Sequence, residues 1–108
     1  MRPFVVLGVY SLGCYLTYPR SPIFNYQLNN PAIEGSNVIQ QCINRANKIT
    51  NRNFQGIGIT KTTSGYKCAA DPKADRLYNR YGKTACGSDG LGDSNTNGTA
   101  VLMFTGDY

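Results

Sequence analysis

Phe54-Gln55-Gly56-Ile57-Gly58-Ile59-Thr60 and Tyr66-Lys67-Cys68-Ala69-Ala70, joined by Lys61-Thr62-Thr63-Ser64-Gly65, form the stretch on which the fold turns. Two runs of strand-forming residues flank a short polar linker that ends in glycine, the pattern of a β-hairpin. Gly56 and Gly58 lack a Cβ, so a neighbouring helix backbone can approach the first strand closely.

Immediately upstream, Val38, Ile39, Cys42, Ile43, Ala46 and Ile49 recur at steps of three and four residues, while Gln40, Gln41, Asn44, Asn47 and Lys48 fall on the opposite side. This spacing predicts an amphipathic helix with Asn37 as its cap and Gln40 completing an approximate capping box. Before it, Pro19, Pro22 and Pro31 punctuate an Asn-rich stretch over 18–35, which reads as a long surface loop of aromatic and cationic character through Tyr18, Arg20, Phe24 and Tyr26. The apolar run over 4–17 predicts a first strand, or a bulged pair of strands. Downstream, Asp71-Pro72 predicts the start of a second helix and Gly82 its stop, with Ala74, Leu77, Tyr78 and Tyr81 on one face. Lys73, Arg76 and Arg80, with Lys83 just beyond, form an adjacent basic stripe. Residues 99–105 return as the last strand.

The fold class expected is α+β: a small twisted antiparallel sheet, one main helix packed across it and a short second helix, all in one domain over 1–108. At 108 residues one modest core is available. Hydrophobic residues make up 41% and charged ones 16%, a balance that favours short strands and tight turns over a helical bundle. The net charge of +5 favours polyanions without specifying one. No run approaches the roughly 20 apolar residues of a membrane span. Residues 1–14 have the basic start and apolar run of a signal peptide but no small-x-small cleavage site. They read as part of a mature domain whose signal lies outside this sequence.

Cys14, Cys42, Cys68 and Cys86 are even in number, widely spaced and accompanied by no histidine, which points to two disulfides and an oxidising, extracellular setting rather than zinc. Spacing leaves the three pairings open. The absence of histidine also removes the usual general base near neutral pH, and Glu34 is the sole glutamate. Asp89 and Asp93 have no apolar setting that would raise a pKa for glycosidase chemistry. Catalysis is not expected.

The order Leu12-Gly13-Cys14-Tyr15, a helix cysteine, Gly65-Tyr66-Lys67-Cys68-Ala69-Ala70, Tyr78-x-x-Tyr81-Gly82, Cys86 and Gly90-Leu91-Gly92 resembles cysteine-bridged extracellular modules of the WSC and PAN/apple type. It resembles more closely a group of secreted invertebrate modules built in the same order. The resemblance implies nested bridges, Cys14 with Cys86 and Cys42 with Cys68, and a lectin-like or protein-interaction role rather than an enzymatic one.

The candidate site is the glycine-rich loop from Tyr81 to Gly98 with the basic stripe beside it. Tyr78 or Tyr81 would stack on sugar C–H surfaces, Asp89, Asp93 and Asn95 would bond hydroxyls, and Arg80 or Lys83 would meet an acidic or sulfated substituent. The expected partners are therefore glycans, with no nucleic acid. A single weak sugar site gains from multivalency, which points to a homo-oligomer or linked modules. Asp93-x-Asn95-x-Asn97-Gly98, helped by Asp89, forms a candidate calcium loop, although Phe104 stands where a bidentate glutamate belongs. Asn97-Gly98-Thr99 is an N-glycosylation acceptor. The alternative function is a structural or adhesive protein-interaction module acting through the Tyr18–Tyr26 region.

Overall fold

A computed structural model describes residues 9–28, 37–49 and 53–104. The hairpin lies inside its sheet as β3 (Gly56–Thr62) and β4 (Gly65–Asp71), paired in register from Gly56–Asp71 to Thr62–Gly65. The turn is only Thr63-Ser64, shorter than expected, and Gly65 takes a φ of 126° just beyond it. Thr62 Oγ1 donates to the Gly65 carbonyl at 2.6 Å, which closes the turn.

β1 (Val9–Leu16), β2 (Tyr26–Gln27), β5 (Lys83–Thr84), β6 (Gly92–Asp93) and β7 (Gly98–Phe104) complete the sheet, in the order β2-β4-β3-β7-β1-β5. Every neighbouring pair along this path is antiparallel. β6 is the exception: it lies off the path and runs parallel to β3 at Thr60 and Lys61, just past the last β3–β7 pair at Ile59 and Ala100. The β1–β7 register shifts between Ser11 and Gly13, where Gly13 has a φ of 98°, so the expected bulge in the first strand is real. Residues 4–8 of that expectation, and Thr105 of the last strand, lie outside the described residues.

The period of two along β3 separates the faces of the sheet. Ile57 and Ile59 face α1 (Val38–Asn47) and form one apolar cluster with Val38, Cys42, Ile43, Ala46, Cys68, Ala70 and Leu102. Gly56 and Gly58 face the other side, where Tyr15, Ile23, Phe24, Ala74, Val101 and Met103 form a second cluster. β7 is buried from Gly98 to Met103, as a central strand covered on both faces must be. Bridges join Cys14 to Cys86 and Cys42 to Cys68, spanning 72 and 26 positions, so the α+β class and both disulfides stand as expected.

Three local expectations change. Ile39 is 37% exposed rather than buried, because the stripe toward the sheet is narrow and runs through Val38, Cys42, Ile43 and Ala46. Asn37 adopts a left-handed φ of 62° and makes no side-chain cap, and Gln40 instead donates to Asn44 Oδ1 at 3.0 Å, so the capping box does not form. The second helix shrinks to one turn, α2 (Ala74–Leu77), because Asp71 closes β4. Ala74, Leu77, Tyr78 and Tyr81 nevertheless pack on the second cluster as one face. No described helix is long and apolar enough to cross a membrane.

Candidate functional site

The segment 17–25, which leads into β2, lies over the face of the sheet opposite α1 and is partly core, not only surface. Ile23 and Phe24 are each 1% exposed. A Cβ at Gly58 would meet Phe24 Cδ2 at 3.3 Å, so the missing side chain lets the ring lie close against β3. Hydrogen bonds then fix the segment in place. Thr17 N–H donates to the Asn97 carbonyl at 2.7 Å, and Ile23 N–H to Thr17 Oγ1 at 3.0 Å. Asn25 gives both its backbone N–H, at 3.0 Å, and its Nδ2, at 3.1 Å, to Asp71 Oδ2. Asp71 is 3% exposed, and its Oδ1 accepts from Lys73 N–H at 2.9 Å, so this buried carboxylate satisfies three donors.

Between this segment and the sheet lies a cleft of about 480 Å³. Gly58, Thr60 and Thr62 of β3, with Lys67 and Ala69 of β4, line it from the sheet. Thr17, Tyr18, Pro22 and Asn25 line it from the overlying segment, Gln27 of β2 lines it from the sheet edge, and Ser94, Asn97 and Thr99 close one end. Ser94 begins a single 3-10 turn over 94–96, and Asn97 ends it with a left-handed φ of 55°. Several lining groups are already engaged: Thr17 with Ile23, Thr62 with Gly65, Asn25 with Asp71, and Gln27 Nε2 with the Phe24 carbonyl at 3.3 Å. The side chains of Thr60, Lys67, Ser94, Asn97 and Thr99 have no hydrogen-bond or ionic partner among the described residues.

The residues expected from sequence fall into two groups. Tyr78 sets its ring edge-on to Tyr15 at 4.9 Å. Tyr81 sets its ring against Tyr18 at 4.9 Å, donates its hydroxyl to the Ser21 carbonyl at 2.9 Å and shares a second hydrogen bond with the Ser21 hydroxyl at 2.6 Å. Tyr81 thus braces the wall of the cleft from behind. Arg80 and Lys83 are exposed, 5.5 Å from the Tyr81 ring centre and 5.9 Å from that of Tyr15.

Asp89, Asp93 and Asn95 form the other group, at the end of the hairpin. Asp89 Oδ2 accepts from the Tyr66 hydroxyl of β4, and Asp89 Oδ1 accepts from Leu91 N–H at 2.9 Å. The bond from Tyr66, with help from Leu91 N–H and the charge of Lys61, holds the Asp89 carboxyl below its ordinary range. The same bond raises the Tyr66 phenol. Asp93 Oδ1 accepts from Asn95 N–H at 2.9 Å and so starts the 3-10 turn. β3 and β7 stand between Tyr66 on β4 and Tyr15 on β1, about 14 Å at three strand spacings, so the two groups do not converge on one small ligand. Of the candidate calcium residues, Asp89 and Asp93 use a carboxylate oxygen each on a backbone N–H, and Asn97 turns toward the cleft.

The glycine loop therefore works as a strap. β5 pairs with β1, Cys86 is bonded to Cys14, and Gly87 N–H donates to the Leu91 carbonyl at 2.7 Å around Ser88-Asp89-Gly90. Gly90 has a φ of 81°, the glycine that such a turn requires. Gly92 then passes so close to β7 that a Cβ there would lie 2.6 Å from the Gly98 carbonyl carbon. From the whole loop only Ser94 and Asn97 line the cleft. The sequence signal for the cleft was the even-numbered set Gly58, Thr60 and Thr62, which falls on the face away from the helix.

Comparison with protein-family models, with curated proteins and with solved structures finds no match to this chain.

Proposed function

We propose that the protein is a small secreted, lectin-like carbohydrate-binding module without catalytic activity, and that the saccharide sits in the cleft beneath segment 17–25. The observation that carries this reading is the set of unengaged side chains at one end and on the floor of the cleft: the Thr60, Ser94 and Thr99 hydroxyls and the Asn97 amide. Hydroxyls and amides donate and accept in the same place, which matches a ligand whose own groups do both. The volume of about 480 Å³ falls in the range of roughly 300–1,000 Å³ typical of small-molecule sites. Tyr18 adds an aromatic face at the wall for the C–H side of a sugar ring. Two disulfides support a secreted setting.

In this reading the exposed Arg80 and Lys83, and separately Asp89, Asp93 and Asn95, meet only the outer parts of a longer glycan. Self-association or repetition of the module raises the avidity of a shallow site. An array of immobilised neutral and acidic glycans, probed with the wild type and with Ser94→Ala and Asn97→Ala, tests it. Binding by the wild type that falls at least fivefold in both variants is expected, and a blank array refutes the reading. Tyr10 and Tyr18, 53% and 37% exposed, favour an adhesive module as the second reading. There, Tyr10→Ala weakens protein contacts while Ser94→Ala and Asn97→Ala leave them intact.

A further inference from the structure

Lys67 is the one charged residue among those lining the cleft. It stands directly across from Thr60 in the β3–β4 register, and directly opposed residues project from the same face with Cβ atoms about 5 Å apart. The Lys67 and Thr60 side chains therefore leave the same face of the sheet side by side at the cleft, within reach of one small group, and neither has a partner among the described residues. The nearby carboxylates do not compete. Asp71 is surrounded by its three N–H donors, and Asp89 is held by Tyr66 and Leu91. Asp93 pairs in register with Lys61, which alternation places on the opposite face from Thr60.

We infer that the cleft selects saccharides bearing an anionic substituent, a carboxylate or a sulfate, which accepts from Lys67 Nζ and Thr60 Oγ1 together. This rests on the carbohydrate-binding reading. Two adjacent oxygens of a planar or tetrahedral anion can accept from two donors at once, and the charge-assisted member is the stronger. A neutral sugar keeps its contacts to Ser94, Asn97 and Thr99 but leaves the ammonium solvated.

The test is titration calorimetry of the intact protein with galactotriose, trigalacturonic acid, a monosulfated galactotriose and inorganic sulfate. At low salt the wild type is expected to bind at least one acidic trisaccharide about fivefold more tightly than the neutral one, the preference shrinking as ionic strength rises. Lys67→Met should abolish the preference while keeping neutral binding, and Lys67→Arg should restore it. Lys67 is exposed, so these variants are expected to fold, which their thermal transitions will show. Neutral and acidic sugars bound equally, or a preference that survives Lys67→Met, overturns this inference and leaves the carbohydrate reading standing. Binding of none of the sugars overturns both. Inorganic sulfate bound as tightly as the sulfated sugar overturns saccharide recognition in favour of a bare anion site.

Discussion

Treatment of the folded protein with a mild thiol reductant should open one bridge long before the other. Cys86 is exposed, whereas Cys42 and Cys68 are each 0% exposed, between α1 and the sheet. Thiol–disulfide exchange needs the attacking thiolate to reach a sulfur, so Cys14–Cys86 reacts in the native state while Cys42–Cys68 waits for the helix to leave the sheet. Opening the first bridge also weakens what protects the second. A closure of 72 residues contributes about 4.4 kcal/mol by the chain-entropy relation, and one of 26 about 3.5 kcal/mol. If total stability is about 8 kcal/mol, mid-range for a domain, about 3.6 kcal/mol remains after the first cut. At a factor of ten per 1.4 kcal/mol, the second bridge should then react about 400-fold more slowly than an unprotected disulfide. Timed reduction, alkylation and peptide mass mapping will read this as a transient species labelled only at Cys14 and Cys86. In concentrated urea the separation should vanish. Label appearing first at Cys42 and Cys68, or on all four cysteines at once without urea, refutes the argument.

Two further outcomes follow from the hydrogen bonds. Asp71→Ala removes the acceptor of three N–H groups at a buried position and should destabilise the protein by about 3 kcal/mol in urea titrations followed by tyrosine fluorescence; a change below about 1 kcal/mol refutes the role given to Asp71. The Tyr66–Asp89 bond should stabilise the strap between two pH limits. Because the Asp89 pKa is lowered, its contribution is complete above the unfolded value near 3.8 and is lost as pH falls through the lower folded value. Because the Tyr66 pKa is raised, its contribution is complete below 10.0 and is lost as pH rises through the higher folded value. In Tyr66→Phe the Asp89 carboxyl, followed by NMR, should titrate closer to 3.8; an unchanged midpoint refutes the coupling.

Much of the architecture was legible because it rests on local periodicity. The hairpin and the helix stripe through Cys42, Ile43 and Ala46 carry a local pattern, and the apolar run of β7 is too short for a helix and is preceded by glycine, as a buried strand is. Other positions misled because a distant partner decided them. Asp71 looks like a helix cap alone, yet it closes β4 and gives only Oδ1 to Lys73 N–H, while Asn25, 46 positions away, takes Oδ2. Ile23 and Phe24 look like loop residues among prolines until Gly58 makes room for them on the sheet.

The candidate site divides along the same line. By themselves the residues establish a polar strap, a basic stripe and an even set of cysteines, all properties of composition and near-neighbour order. Only the tertiary structure decides that the strap is consumed in tying β5, β6 and β7 together, that Tyr81 braces Ser21, and that Thr60, Lys67, Ser94 and Asn97 meet around one cleft. The physical reason is strand pairing. Beyond its local hairpin with β4, β3 receives β7 and β6 from the far end of the chain, and such pairings are fixed by the packing of the whole sheet rather than by any short run of residues.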